Sequence, residues 1–156
     1  MGAESHVIWV RKETMKNADW SNGLIEDMGF EKVSDEMDDD CPCFECMEGE
    51  LLNVARASGI ELLLDSRENA DYVFEMNAKN VQDMIAMCKS LIIETIEIRN
   101  DEQWKGSRVH DVFGYVDDAW DDELPELLCR LLQNLYHAQQ MLEKHSGYIL
   151  AVEVMW

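Results

Sequence analysis

From Glu123 to Lys144 the apolar residues Leu124, Leu128, Leu131, Leu135, Ala138 and Leu142 recur at steps of four and three. That spacing puts them on one stripe of a long helix, and a stripe of that width needs an apolar surface to pack on. Asp121 and Asp122 stand at its start, where the partial positive charge of a helix end favours acids. Pro125 falls in the first turn, where a missing N–H is tolerated, and Gly147 closes the helix.

Strands are the natural complement. His6–Val10 is a β-branched and aromatic run, and Tyr148–Trp156 is apolar on both faces apart from Glu153, as a central strand should be. Ile60–Leu64 and Tyr72–Met76 are predicted to pair as an antiparallel hairpin across the polar residues 65–71. Ile93–Ile98 alternates as a further strand, joined by a polar turn over 99–107 to Val109–Val116, with a bulge at Gly114.

Three shorter helices complete the reading. Leu24, Ile25 and Met28 form one stripe, capped by Asp19 or Ser21 and ended by Gly29 before Phe30. Leu51, Leu52, Val54 and Ala55 form a second, stopped at Ser58-Gly59, and Val81, Met84, Ile85 and Cys88 a third, starting at Asn80 with Asp83 behind it. The expected fold is α+β: a mixed or antiparallel sheet with helices mainly on one face. From Tyr72 onward the order strand, helix, strand, strand, helix, strand matches a ferredoxin-like (split βαβ) arrangement. With 156 residues and neither a repeat nor a Gly/Ser-rich linker, a single domain over 1–156 is expected.

Charge constrains function more than fold. Against 33 acidic residues stand 13 Lys and Arg, a net charge of −20. Eight of the acids lie between Asp35 and Glu50 with no base among them, and a second block runs from Asp117 to Glu126. Such a field repels nucleic acid and anionic membranes and attracts basic proteins. No apolar run is long enough to span a bilayer and the first residues lack a signal peptide's pattern, so a cytoplasmic protein is expected.

Cys41, Cys43 and Cys46 place three thiols within six residues, close enough to share a tetrahedral zinc with Cys88, His110 or a carboxylate as fourth ligand. No second CxxC or HxxxH completes a zinc module, and the preferred reading is a solvated acidic loop with free thiols and no cofactor. As a redox CxxC, Cys43 and Cys46 sit among acids, which disfavour a thiolate. The run from Asp35 to Asp40 fails as a calcium loop, with Met37 or Cys43 where a ligand or glycine is required. His137 and His145 lie too far apart for a one-turn metal pair, and the glycine-rich phosphate signatures are missing.

These features favour a non-enzymatic binding protein that inhibits or sequesters a basic partner, such as a nuclease or DNA-binding enzyme. Asp38, Asp39, Asp40, Asp117, Asp118, Asp121 and Asp122 would supply the charge and Trp120 an anchor, with Trp104 and Phe44 as further aromatics near the acids. In composition alone the chain is similar to bacterial immunity proteins and phage anti-defence proteins, which present carboxylates where phosphates would sit. The alternative is a small-ligand or zinc-binding regulatory module.

Overall fold

The computed structural model describes residues 3–20, 25, 28–113 and 123–156. In chain order its elements are strand β1 (Glu4–Arg11), helices α1 (Lys12–Asn17), α2 (Asp35–Asp39) and α3 (Glu48–Ala57), and strands β2 (Leu62–Ser66) and β3 (Asp71–Met76). There follow α4 (Ala78–Glu97), α5 (Asp101–Lys105), α6 (Arg108–Phe113), α7 (Glu123–Lys144) and β4 (Tyr148–Met155). The four strands form one antiparallel sheet in the order β1-β4-β3-β2. This is an α+β fold, with β4 in the interior as its two apolar faces demand.

Alternation along the strands builds two cores. Val7 and Trp9 of β1, Tyr72, Phe74 and Met76 of β3, and Leu150, Val152 and Val154 of β4 face the larger core, which α3, α4, α6 and α7 cover. Val10, Val73, Ile149 and Ala151 point the other way, where Met15, Trp20 and Ile25 pack on them. Helix α7 buries Leu124, Leu128, Leu131, Leu135 and Ala138, all positions on the stripe read from the sequence.

Several local signals act as expected. Residues 58–60 end α3 in a Schellman motif: Ile60 N–H reaches Ala55 O, Gly59 N–H reaches Arg56 O, and Gly59 takes φ +75°. Ile60 therefore belongs to the helix end, and β2 starts two residues later than expected. Gly29 adopts φ +67° and Phe30 packs on Trp20, at ring centroids 5.6 Å apart. Residues 21–24, 26 and 27 of the expected helix lie outside the described residues, and α1, directly after β1, was not anticipated.

The ferredoxin-like expectation fails between residues 93 and 113. Ile93–Ile98 continues α4 instead of forming a strand. Val81, Met84, Ile85, Cys88, Leu91 and Thr95 keep one helical stripe buried with no Gly or Pro to stop it, which outweighs the β preference of the isoleucines. The N-cap is Asn77, three residues before Asn80, and its Oδ1 accepts from Asn80 N–H at 2.8 Å. Residues 109–113 are also helical. Ser107 Oγ accepts from His110 N–H at 3.0 Å, and Val109 and Phe113, four apart, are both buried; residues 114–116 lie outside the described residues. Between β3 and β4 the chain thus runs through four helices with no strand among the described residues.

Leu131 has no exposed surface. Leu131→Ala should lower unfolding free energy by about 3 kcal/mol through lost burial and the cavity left behind, read as a fall in the urea midpoint with unchanged slope.

Candidate protein-binding surface

The first acidic block folds into α2 and the loop after it. Ser34 Oγ accepts from Met37 N–H at 3.3 Å, and Asp35, Glu36 and Asp38 follow in the first turn, where acids suit the helix end. The helix is fastened to the sheet and to the end of α7. Trp9 Nε1 donates to Met37 O at 2.7 Å, and Met37 packs on the larger core. Asp40 Oδ2 meets Lys144 Nζ at 2.9 Å and His145 Nε2 at 2.7 Å, while Lys144 also reaches Glu36 at 3.4 Å. The His145 ring stands edge-on to Trp9 at 5.2 Å.

This clasp separates the predicted carboxylates by role. Asp40 is engaged by Lys144 and His145, so its charge is largely neutralised within the fold. Asp38 and Asp39 are exposed, together with Asp35 and Glu36. Asp117, Asp118, Trp120, Asp121 and Asp122 lie outside the described residues. Two of the aromatics expected near the acids are core residues: Phe44 is buried, and Trp104 is buried with its ring edge-on to His110 at 5.2 Å. Among the described residues Tyr136 and Trp156 are the exposed aromatics; Trp156 is 56% accessible and lies over Gly49, so close that a Cβ there would come within 2.7 Å of the indole.

The loop alternates in and out. Pro42, Phe44 and Met47 point inward, while Cys43, Glu45 and Cys46 are exposed, with Cys46 at φ +68° and its N–H bonded to Glu48 Oε1 at 3.1 Å. A cleft of about 540 Å³ separates this loop from Ala3 and the first four residues of β1, with Glu4 on one wall and Glu45 and Glu48 on the other. Glu50, half-buried in the first turn of α3, has its carboxyl pushed up by burial.

Cys41 does not join the other two thiols at the surface. Its Sγ–H donates to Val7 O at 3.1 Å, and burial, reinforced by Asp38, pushes its pKa up to about 12. Zinc held by Cys41, Cys43 and Cys46 would require Cys41 to leave Val7. Cys88, one proposed fourth ligand, is buried in the core, donates to Leu128 O at 3.3 Å and is also pushed up to about 12 by burial. Among the described residues no group of three or more His, Cys, Asp and Glu side chains is gathered for a metal.

No described helix is long and apolar enough to cross a membrane. Comparison with protein families, with curated proteins and with solved structures gives no match.

Two measurements check this geometry. A neutral maleimide should label exposed Cys43, Cys46 and Cys129 in the native protein and reach Cys41 and Cys88 only after unfolding, as peptide masses would report. The second concerns Asp40, held below its ordinary 3.8 first by the Lys144 hydrogen bond and then by His145, and Lys144, held above 10.5 first by Asp40. A depressed acid stabilises the fold above its unfolded value and loses that contribution as pH falls through its folded value; a raised lysine loses its share only as pH rises through its own. Asp40→Asn should therefore be less stable than the wild type at neutral pH, with the gap closing as pH drops below 3.8.

Proposed function

We propose that the chain is a non-enzymatic acidic binding protein that sequesters or inhibits a basic protein, of the kind whose cationic surface ordinarily meets nucleic acid. The observation that carries this reading is the anchoring of α2: Trp9 and the Asp40–Lys144–His145 clasp hold one side of the helix against the fold and leave Asp35, Asp38 and Asp39 exposed. Carboxylates presented on a fixed frame lose less conformational freedom on binding than those of a loose acidic loop.

The total charge of −20 supports the same reading. It disfavours approach to DNA, RNA or anionic lipid and speeds encounter with a cationic protein. Asp117, Asp118, Asp121 and Asp122, with Trp120 between them, would add a second stretch of the same chemistry.

The test is capture from the native host's lysate on immobilised wild-type protein and on an Asp35→Asn, Asp38→Asn, Asp39→Asn variant, with elution by a salt step and identification by mass spectrometry. The expected result is a basic nucleic-acid-binding protein that the wild type retains, that salt releases, and that associates with the variant about tenfold more slowly. Equal capture by both proteins, or retention that salt does not weaken, would remove α2 from the interface.

A further inference from the structure

Among the described residues β1 is an outer strand of the sheet, with β4 as its paired neighbour. Which of its backbone groups face outward follows from two hydrogen bonds. Lys12 N–H donates to Gly147 O at 3.1 Å, so the even-numbered residues of β1 bond to β4 and the odd-numbered ones point away. On the far side of the sheet Trp156 N–H donates to Ala70 O at 3.0 Å, which turns the even-numbered residues of β4 toward β3 and leaves its odd-numbered ones for β1, in agreement. The outward groups at the start of β1 are therefore those of Ser5 and Val7.

Cys41 already uses one of them, since its thiol donates to Val7 O. Ser5 N–H, Ser5 C=O and Val7 N–H have no partner among the described residues and face the side on which the cleft of about 540 Å³ lies. An unpaired edge of this kind is a template for another strand. β2, the other outer strand, is a poorer template: it has five residues, its register slips between Leu62 and Leu64, and its Asp65 pairs with Arg56 at 3.6 Å.

Resting on the reading of the chain as a binder of basic proteins, we infer that it takes an extended basic segment of its partner as an added strand along residues 4–7 of β1. The segment would exchange two hydrogen bonds with Ser5, accept a third from Val7 N–H, and turn Lys or Arg side chains at alternate positions toward Glu45 and Glu48, on the face of the sheet that α3 covers. Charge selects this occupant. A second copy of the chain would bring another −20 to the same edge, whereas a basic strand neutralises the carboxylates that line it.

The test uses the full chain, labelled with nitrogen-15, and a synthetic capped peptide of alternating Lys and Val, six residues long. The expected outcome is slowed exchange of the Ser5 and Val7 amides on saturation. Affinity should fall by at least about tenfold for the same peptide N-methylated at alternate residues, which removes backbone hydrogen bonds but no charge. Ser5→Pro should weaken the unmodified peptide by a similar factor, because the proline removes an N–H that the sheet itself does not use; the methylated peptide decides the matter even if this variant disturbs the strand.

Equal binding of the two peptides, or shifts at Glu45 and Glu48 with the Ser5 and Val7 amides unchanged, would overturn strand addition while leaving charge-driven sequestration standing. No binding of the peptide at low salt would also overturn it, with the lysate capture still deciding the broader reading. Protection of Ser5 and Val7 that grows with protein concentration in the absence of peptide would assign the edge to a second copy instead.

Discussion

β4 is the element on which the rest of the structure depends. It pairs along most of its length with β1 on one side and β3 on the other, and a core covers each face of the sheet there, so its side chains have no solvent face to turn to. Leu150, Val152 and Val154 supply the larger core against α7 and α4; Ile149 and Ala151 supply the smaller one with Met15 of α1, Trp20 and Ile25. Glu153 breaks the apolar run and is fully buried. Its Oε1 accepts from Ile25 N–H at 3.1 Å, which gives the buried carboxyl group a donor and ties Ile25 into the smaller core. A buried polar group without such a donor would oppose folding.

The surface is organised by where the few cations are spent. Arg11 pairs with Glu31, Arg56 with Asp65, Lys79 with Asp83 and Lys105 with Asp101, all at exposed or half-exposed positions where each pair contributes little to stability. Lys144 differs because it closes a contact between distant parts of the chain, joining α2 to the end of α7 beside His145 and Trp9. With 33 acids against 13 Lys and Arg, most acids have no cation to match them, and the resulting self-repulsion works against the compact state. A cationic partner would relieve it, which gives the proposed interaction a thermodynamic reason beyond complementarity of contact.

Much of the fold could be read directly. The steps of four and three gave α7 its extent, and the double apolar face of residues 148–155 marked a central strand. The hairpin of β2 and β3, and the stop at Ser58-Gly59, followed from turn and cap chemistry. Ile93–Ile98 misled because a short β-branched run fits a strand and a buried helix equally well, and length decides between them only when the neighbouring boundary is known. Val109–Phe113 failed for the same reason: apolar residues four apart were also compatible with alternation over so short a stretch.

The site was less legible than the fold. The sequence located the acids at 35–50 but could not separate Asp40 from Asp38 and Asp39, because the partners that engage Asp40 lie about a hundred positions away; nor could it place Phe44 and Trp104 inside, Trp156 outside, or Cys41 against Val7. What the sequence determined by itself was the set of periodic elements and the excess of negative charge, since periodicity is a property of short windows and net charge a property of composition. The tertiary structure decided which carboxylates face solvent, which thiol is withdrawn and which backbone edge remains unpaired, because each of these depends on contacts between residues that only the folded sheet brings together.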